Sequence, residues 1–263
     1  MSVRWRLLVD PPATGARNMA VDESLLLHAD ANGPSIRLYA WEHPTVSLGY
    51  RQPEDPWARR ARDLGVDVVR RVTGGGAVLH DADLTYAVVA PADCDDVPPD
   101  LHGSYLWIRA VLLAGLRAVG LPAESARGRP GADRLPVCFA GSVGVEIELE
   151  RTKLVGSAQR RLPTAFLQHG SIRLHDDAAL HEEIFGAPIP SPPAGLSVPS
   201  RARIVDCLCR AFASALDGRV QTATLTSEEE STAHSRQQVR RSLPLRAPSV
   251  FSRRAPRVAD TLA

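Results

Sequence analysis

Arg70-Arg71-Val72-Thr73-Gly74-Gly75-Gly76-Ala77-Val78-Leu79-His80-Asp81 is the most unusual stretch of the chain. Strand-like composition flanks it, at residues 66–72 and 77–80. Three consecutive glycines carry no side chains, so the backbone there can approach a ligand closely. It can also turn its amides toward an anion or a carbonyl. Arg70 and Arg71 would add charge suited to a phosphate or carboxylate. No Gly-Lys-Ser/Thr follows and no G-x-G-x-x-G opens a helix, which excludes the common nucleotide loops. A plain glycine-rich hairpin turn explains the triplet equally well at this level.

Working outward, the sequence predicts a helix over 18–28, opened by Asn18 as N-cap with Asp22 and Glu23 favouring its dipole. Strands are expected over 36–41, 45–48 and 84–90. A helix over 104–119 starts at Ser104 and stops at Gly120 and Pro122. A Gly/Arg/Pro loop spans 125–136. Strands then follow at 143–149, at 153–160 in a hairpin after a polar turn, and at 165–174. Residues 191–199 are Pro-rich and read as a linker. Ser200 caps a helix with Ile204, Leu208, Phe212 and Leu216 on one face, stopped by Gly218. Strands dominate the middle and helices are few, which gives the α+β class. The expected organisation is a catalytic domain over 1–220 and a polar C-terminal extension over 221–263, partly helical or disordered.

The 263 residues carry 31 basic and 30 acidic groups, a formal net charge of +1. That balance signals neither nucleic acid nor a membrane surface as partner. No run of 18 apolar residues exists, and the N-terminus lacks an apolar signal core, so a cytoplasmic protein is expected. Cys94, Cys138, Cys207 and Cys209 form no C-x-x-C pair, and no metal site is expected.

The split within the basic residues is more informative: 30 are Arg and one is Lys, Lys153. It lies in Lys153-Leu154-Val155-Gly156-Ser157-Ala158-Gln159. An ammonium is a compact charge that reaches into a small pocket and donates in three directions, unlike a planar guanidinium. Gly156 and Ser157 suit close approach of a ligand to a strand. Cys138, 15 residues earlier, reads either as core packing or as a nucleophile with a cation nearby to lower its pKa. His80 and His169 are polar groups inside β segments.

Together these stretches resemble the lipoate/octanoate branch of the biotin/lipoate protein ligase and acyltransferase superfamily. The similarity is carried by Asn18-Met19-Ala20-Val21-Asp22-Glu23, Ser47-Leu48-Gly49-Tyr50, the glycine loop, the lysine motif and Gln168-His169-Gly170-Ser171-Ile172, in order. It implies a mixed, largely antiparallel β-sheet flanked by helices. Cys138 resembles the nucleophile of cysteine-dependent octanoyltransferases of Gram-positive type, with Lys153 as its catalytic partner. The implied substrate-binding residues are Arg71, Gly74, Gly75, Gly76, His80, Gly156, Ser157, Ala158 and His169.

The implied reaction moves octanoate from octanoyl-acyl carrier protein through a Cys138 thioester to a lysine of glycine cleavage H protein or another lipoyl domain. It needs no cofactor or metal, since a thioester is already activated. Two alternatives share the fold: an octanoyl-H-protein to E2 amidotransferase, and an ATP-dependent lipoate-protein ligase. The acyl chain is expected in an apolar tunnel near Gly74–Gly76 and Val78, where about 0.8 kcal/mol per methylene sets chain-length preference.

Overall fold

The computed structural model describes residues 3–126, 146–173, 178–187 and 197–242. Strand β1 (Trp5–Val9) leads through helix α1 (Gly15–Asn32) to β2 (Ser35–Tyr39). A small unit follows: β3 (Thr45–Leu48), α2 (Pro56–Asp63), β4 (Asp67–Arg70) and β5 (Val78–His80). Next come β6 (Leu84–Pro91), α3 (Leu101–Ala118), β7 (Ala123–Ser125), β8 (Ile147–Leu149), β9 (Thr152–Arg161) and β10 (Ala165–Ile172). The remaining described elements are α4 (Ala178–Phe185), α5 (Arg201–Ala215), β11 (Val220–Thr222) and α6 (Ser227–Ser242).

The large sheet has the order β11-β1-β2-β6-β10-β9-β8-β7, and β4-β3-β5 form a second sheet. Only β1 with β11 and β1 with β2 pair in parallel in the large sheet; its other pairs are antiparallel. This is the expected α+β class with a mixed, largely antiparallel sheet and helices on its faces. On one face α3 and α5 bury Ile108, Leu208 and Phe212 against Ile36, Tyr86 and Phe166. Each such side chain contributes about 1.5–3 kcal/mol. On the other face α1 buries Met19 and Leu25 against Tyr39, Ala87 and Leu167. Strand β6 is covered on both sides, which explains its unbroken Leu-Thr-Tyr-Ala-Val-Val run. The small sheet packs Val46 and Leu48 on Trp57, Ala58 and Ile184.

The periodic elements match their expected places, and several boundaries move for identifiable reasons. Helix α1 begins at Gly15, capped by Thr14, whose hydroxyl accepts from Arg17 N at 3.4 Å. Asn18 is not the cap; its amide donates to the Ala13 and Ala40 carbonyls. Helix α3 is likewise capped by Asp100, which accepts from Gly103 N at 2.8 Å, while Ser104 bonds back to the Asp100 and Leu101 carbonyls. Strands β1, β7 and β11 and helices α2 and α4 were not expected from the sequence. Of the strand expected over 143–149, residues 143–145 lie outside the described residues, as do residues 127–136 of the Gly/Arg/Pro loop and Cys138.

One irregularity matters for the site. Ile147 pairs with Val155, but Glu148 pairs with Lys153, so β9 carries one extra residue at Leu154. A slip of one residue exchanges the faces of a strand. Val155 faces the α3/α5 core with Ile172. Lys153 is thereby turned to the opposite face, shared by Gly156 and Ala158. Glu150 and Arg151, with φ of 45° and 68°, make the two-residue turn that closes this hairpin.

The described part of the C-terminal stretch packs against the start of the chain. β11 extends the sheet beside β1, and α6 lies on α1. Glu229 forms a two-pronged ion pair with Arg6, at 2.6 and 2.7 Å, and its carbonyl accepts from Ser24 Oγ. Arg240 pairs with Glu23 and donates to the Arg70 carbonyl.

Candidate active site

Between the large sheet, α1 and the small sheet lies a small cavity. Arg71, His80, Gly156, Ser157, Ala158 and His169 all line it, brought from separate stretches of sequence. Met19, Trp41 and Val78 add apolar surface. The register explains the convergence. His169 pairs with Ala158 and Ser171 with Gly156, so these four residues share one face across β9 and β10. Ser157 lines the cavity too, yet its hydroxyl lies on the other face, 2.7 Å from Tyr86 Oη. Burial pushes the Tyr86 phenol up to about 12, against the hydrogen bonds from Ser157 and Gln168.

The glycine loop is held from within by Arg71. Its guanidinium donates to the Gly74 carbonyl at 2.6 and 3.2 Å, the Gly76 carbonyl at 2.8 Å and the Ser47 carbonyl at 2.9 Å. The sequence had suggested a charge for an anionic ligand, whereas these donors organise the loop itself. Arg70 behaves similarly, donating to the Gly49 and Gln52 carbonyls at 2.8 and 2.6 Å. In a planar trans peptide the N–H opposes the C=O. The Gly75 and Ala77 amides therefore point away from Arg71. Gly75 has φ of 91°, which favours glycine. Gly49 packs so closely beneath the loop that a Cβ there would sit 2.0 Å from the Gly75 oxygen.

Two histidine–carboxylate pairs flank the cavity. His169 Nδ1 lies 2.8 Å from Asp22 Oδ2, and its Nε2 lies 2.6 Å from Thr73 Oγ1. Asp22 also accepts from Arg37 Nη1 and from Tyr39 Oη, both at 2.7 Å. Burial alone would raise the Asp22 carboxyl; His169 and Arg37 outweigh it and hold the group below the usual range. Burial lowers His169 below the ordinary imidazole value despite Asp22, which favours a neutral ring. A neutral ring donates from Nδ1 to Asp22 and accepts from Thr73 at Nε2.

His80 repeats the pattern, with Nδ1 2.9 Å from Asp83 Oδ2 and Nε2 2.8 Å from Ser47 Oγ. It stacks on Trp41 at 3.9 Å between ring centroids. Asp83 also accepts from Ser171 and Thr85. Sequence reading missed Asp22, Thr73, Ser47 and Asp83 as site residues. Asp22 stood in a quoted motif but was assigned to the helix dipole. Asp83 follows His80 by three residues across a turn, a spacing that gave no signal.

Lys153 lies outside the cavity lining, three residues before Gly156, or about 10 Å along the strand. It is 8% exposed, and its Nζ donates to Glu146 Oε1 at 3.2 Å. Among the described residues no cluster of three or more His, Cys, Asp or Glu could hold a metal ion. Among them, too, no helix is long and apolar enough to cross a membrane.

Residues 14–202 match the lipoyl protein ligase A/B catalytic domain, and the chain belongs to that family. It is similar to octanoyltransferase LipM of Kyrpidia tusciae, at 36% identity over 87% of this chain and 93% of the relative. The corresponding octanoyltransferase LipM of Brevibacillus brevis is 32% identical over 86% of this chain and 92% of its own. Among solved structures, a lipoate-protein ligase A bound with ATP superposes with a TM-score of 0.72, at 24% identity over 90% of this chain and 95% of that one. A bipartite lipoate protein ligase from Thermoplasma acidophilum, studied with its E2 lipoyl domain, gives 0.70 at 23% identity, over 90% and 92%. These structures share the fold.

Proposed function

We infer that this chain is an octanoyltransferase of lipoate biosynthesis that works through a covalent cysteine intermediate. Cys138 attacks the carbonyl of an octanoyl thioester, and the carrier leaves as its thiol. The ε-amine of an acceptor lysine then attacks the octanoyl-Cys138 thioester. The amide forms, and the amine's proton goes to the departing Cys138 sulfur. Lys153 supplies the positive charge for the thiolate and the developing oxyanion. The Gly75 and Ala77 amides are further donors for the acyl carbonyl. Octanoyl-acyl carrier protein is the donor, and glycine cleavage H protein or another lipoyl domain is the acceptor, in the cytoplasm. Residues 1–220 carry the catalysis, with 221–263 as the polar extension.

The observation that carries this reading is the convergence of six motif residues on one apolar cavity, with both histidines spent on ordering its walls. Intact-mass analysis after mixing with octanoyl carrier protein tests it. An octanoyl adduct should form without ATP, be removed by hydroxylamine and be absent in Cys138→Ala. Transfer that requires ATP and survives Cys138→Ala would overturn it. Lys153→Arg should fold and lose most transfer.

A further inference from the structure

Lys153 is the sole lysine of the chain and is almost fully buried, so the group that compensates its charge deserves as much weight as the lysine itself. Taking an ammonium out of water is costly unless a carboxylate pairs with it. Glu146, 6% exposed, meets Nζ at 3.2 Å.

The backbone fixes both partners. The Glu146 carbonyl accepts from Ala126 N at 2.9 Å. The Lys153 carbonyl accepts from Arg173 Nη1 at 3.1 Å, and the Leu154 carbonyl accepts from Arg173 N at 2.9 Å. Arg173, itself buried, therefore ties down the extra residue that turns Lys153 to its face. Ile147 and Val155 share the helix-covered face, so Glu146 and Glu148 stand opposite it with Lys153. Two fixed backbones and the buried Glu146–Lys153 ion pair restrict the lysine head.

We propose that Glu146 is the positioning residue for Lys153: its carboxylate holds the ammonium aimed on the cavity side of the sheet. The role rests on the reading of Lys153 as catalytic. Glu146 touches neither donor nor acceptor and acts only through the lysine. Its removal should thus slow formation of the acyl-enzyme without weakening binding of the acyl donor.

The full chain, labelled with 13C at the lysine ε-carbon, gives a single protein lysine signal, because Lys153 is the only lysine. At pH 7.5 the signal of Glu146→Gln should be displaced from that of the wild type, because the carboxylate beside Nζ is gone. In single-turnover acylation by octanoyl carrier protein, Glu146→Gln should lower the maximal rate at least tenfold with half-saturation within twofold. Glu146→Asp should fall between the two. In a Lys153→Ala background, Glu146→Gln should add less than a twofold loss. An unshifted signal, a wild-type rate, or an equal loss in the Lys153→Ala background would overturn the proposal. If Glu146→Gln fails to fold, Glu146→Asp enters the same cycle with the same criteria. A wild-type chain that forms no octanoyl-Cys138 would instead defeat the reaction assigned above and leave the spectroscopic comparison to judge Glu146.

Discussion

Asp22→Asn isolates the polar network behind the glycine loop. The substitution keeps the size of the side chain and removes its charge. Asp22 is fully buried and accepts from Arg37, Tyr39 and His169. An amide can still accept from Arg37 through its oxygen, but its NH2 then faces Tyr39 Oη and His169 Nδ1. Arg37, equally buried, would keep one carboxylate partner, Asp10, at 2.6 Å. Removing one member of a buried ion pair costs about 3–5 kcal/mol. Retention of Asp10 places this case at the lower end, about 3 kcal/mol. At about 2–4 °C per kcal/mol for larger domains, Tm should fall by about 6–12 °C. Thermal unfolding at pH 7.5 followed by circular dichroism is the assay. Because His169 links Asp22 to Thr73 at the root of the loop, octanoyl transfer should fall as well. A Tm change below about 2 °C would refute the claim that Asp22 neutralises Arg37 in the folded chain.

Three further outcomes are expected. Gly49→Ala places a Cβ 2.0 Å from the Gly75 oxygen, so it should cost about 1–3 kcal/mol and displace the loop, read as a lower Tm with reduced transfer. His169 titrates below its unfolded value near 6.5, so its contribution is complete above that pH and is lost as pH falls through the folded value. The stability gap between wild type and His169→Gln should therefore narrow from pH 7.5 to 5.5 in urea titrations; a constant gap would contradict the shift. Glu229→Gln leaves Arg6 without its carboxylate and should lower Tm measurably, with a loss of about 3 kcal/mol in the same titrations.

The sequence exposed the elements whose stability is local or apolar. Helix α5, with its Ser200 cap and the Ile204, Leu208 and Phe212 stripe, and strand β3 over Thr45–Leu48 have the expected extents. Helix α6 was harder to see because it docks through ion pairs, Arg6 with Glu229 and Glu23 with Arg240, rather than an apolar stripe. Hydrophobic periodicity has no access to such contacts. Strands β1 and β11 pair across most of the sequence, and three-residue β11 carries no pattern of its own.

In the site, the glycine loop, Lys153 and both histidines were visible as unusual residues. Their partners were not, because Asp22, Asp83, Thr73 and Ser47 are common residue types whose role comes from three-dimensional proximity. The face of Lys153 was also hidden. Alternation along β9 puts it with Val155, and only the extra residue at Leu154 reverses it.

The ion pair between Arg6 and Glu229 joins residues 223 positions apart. At about 5–20 residues per second, a ribosome makes Arg6 some 10–45 seconds before the carboxylate that neutralises it. During that interval β1 and α1 lack both the neighbouring strand β11 and the covering helix α6. Strand β1 is thus synthesised long before its surroundings are complete. The nascent chain must keep an unpaired arginine hydrated at the future sheet edge, and this contact closes only once Glu229 has been made.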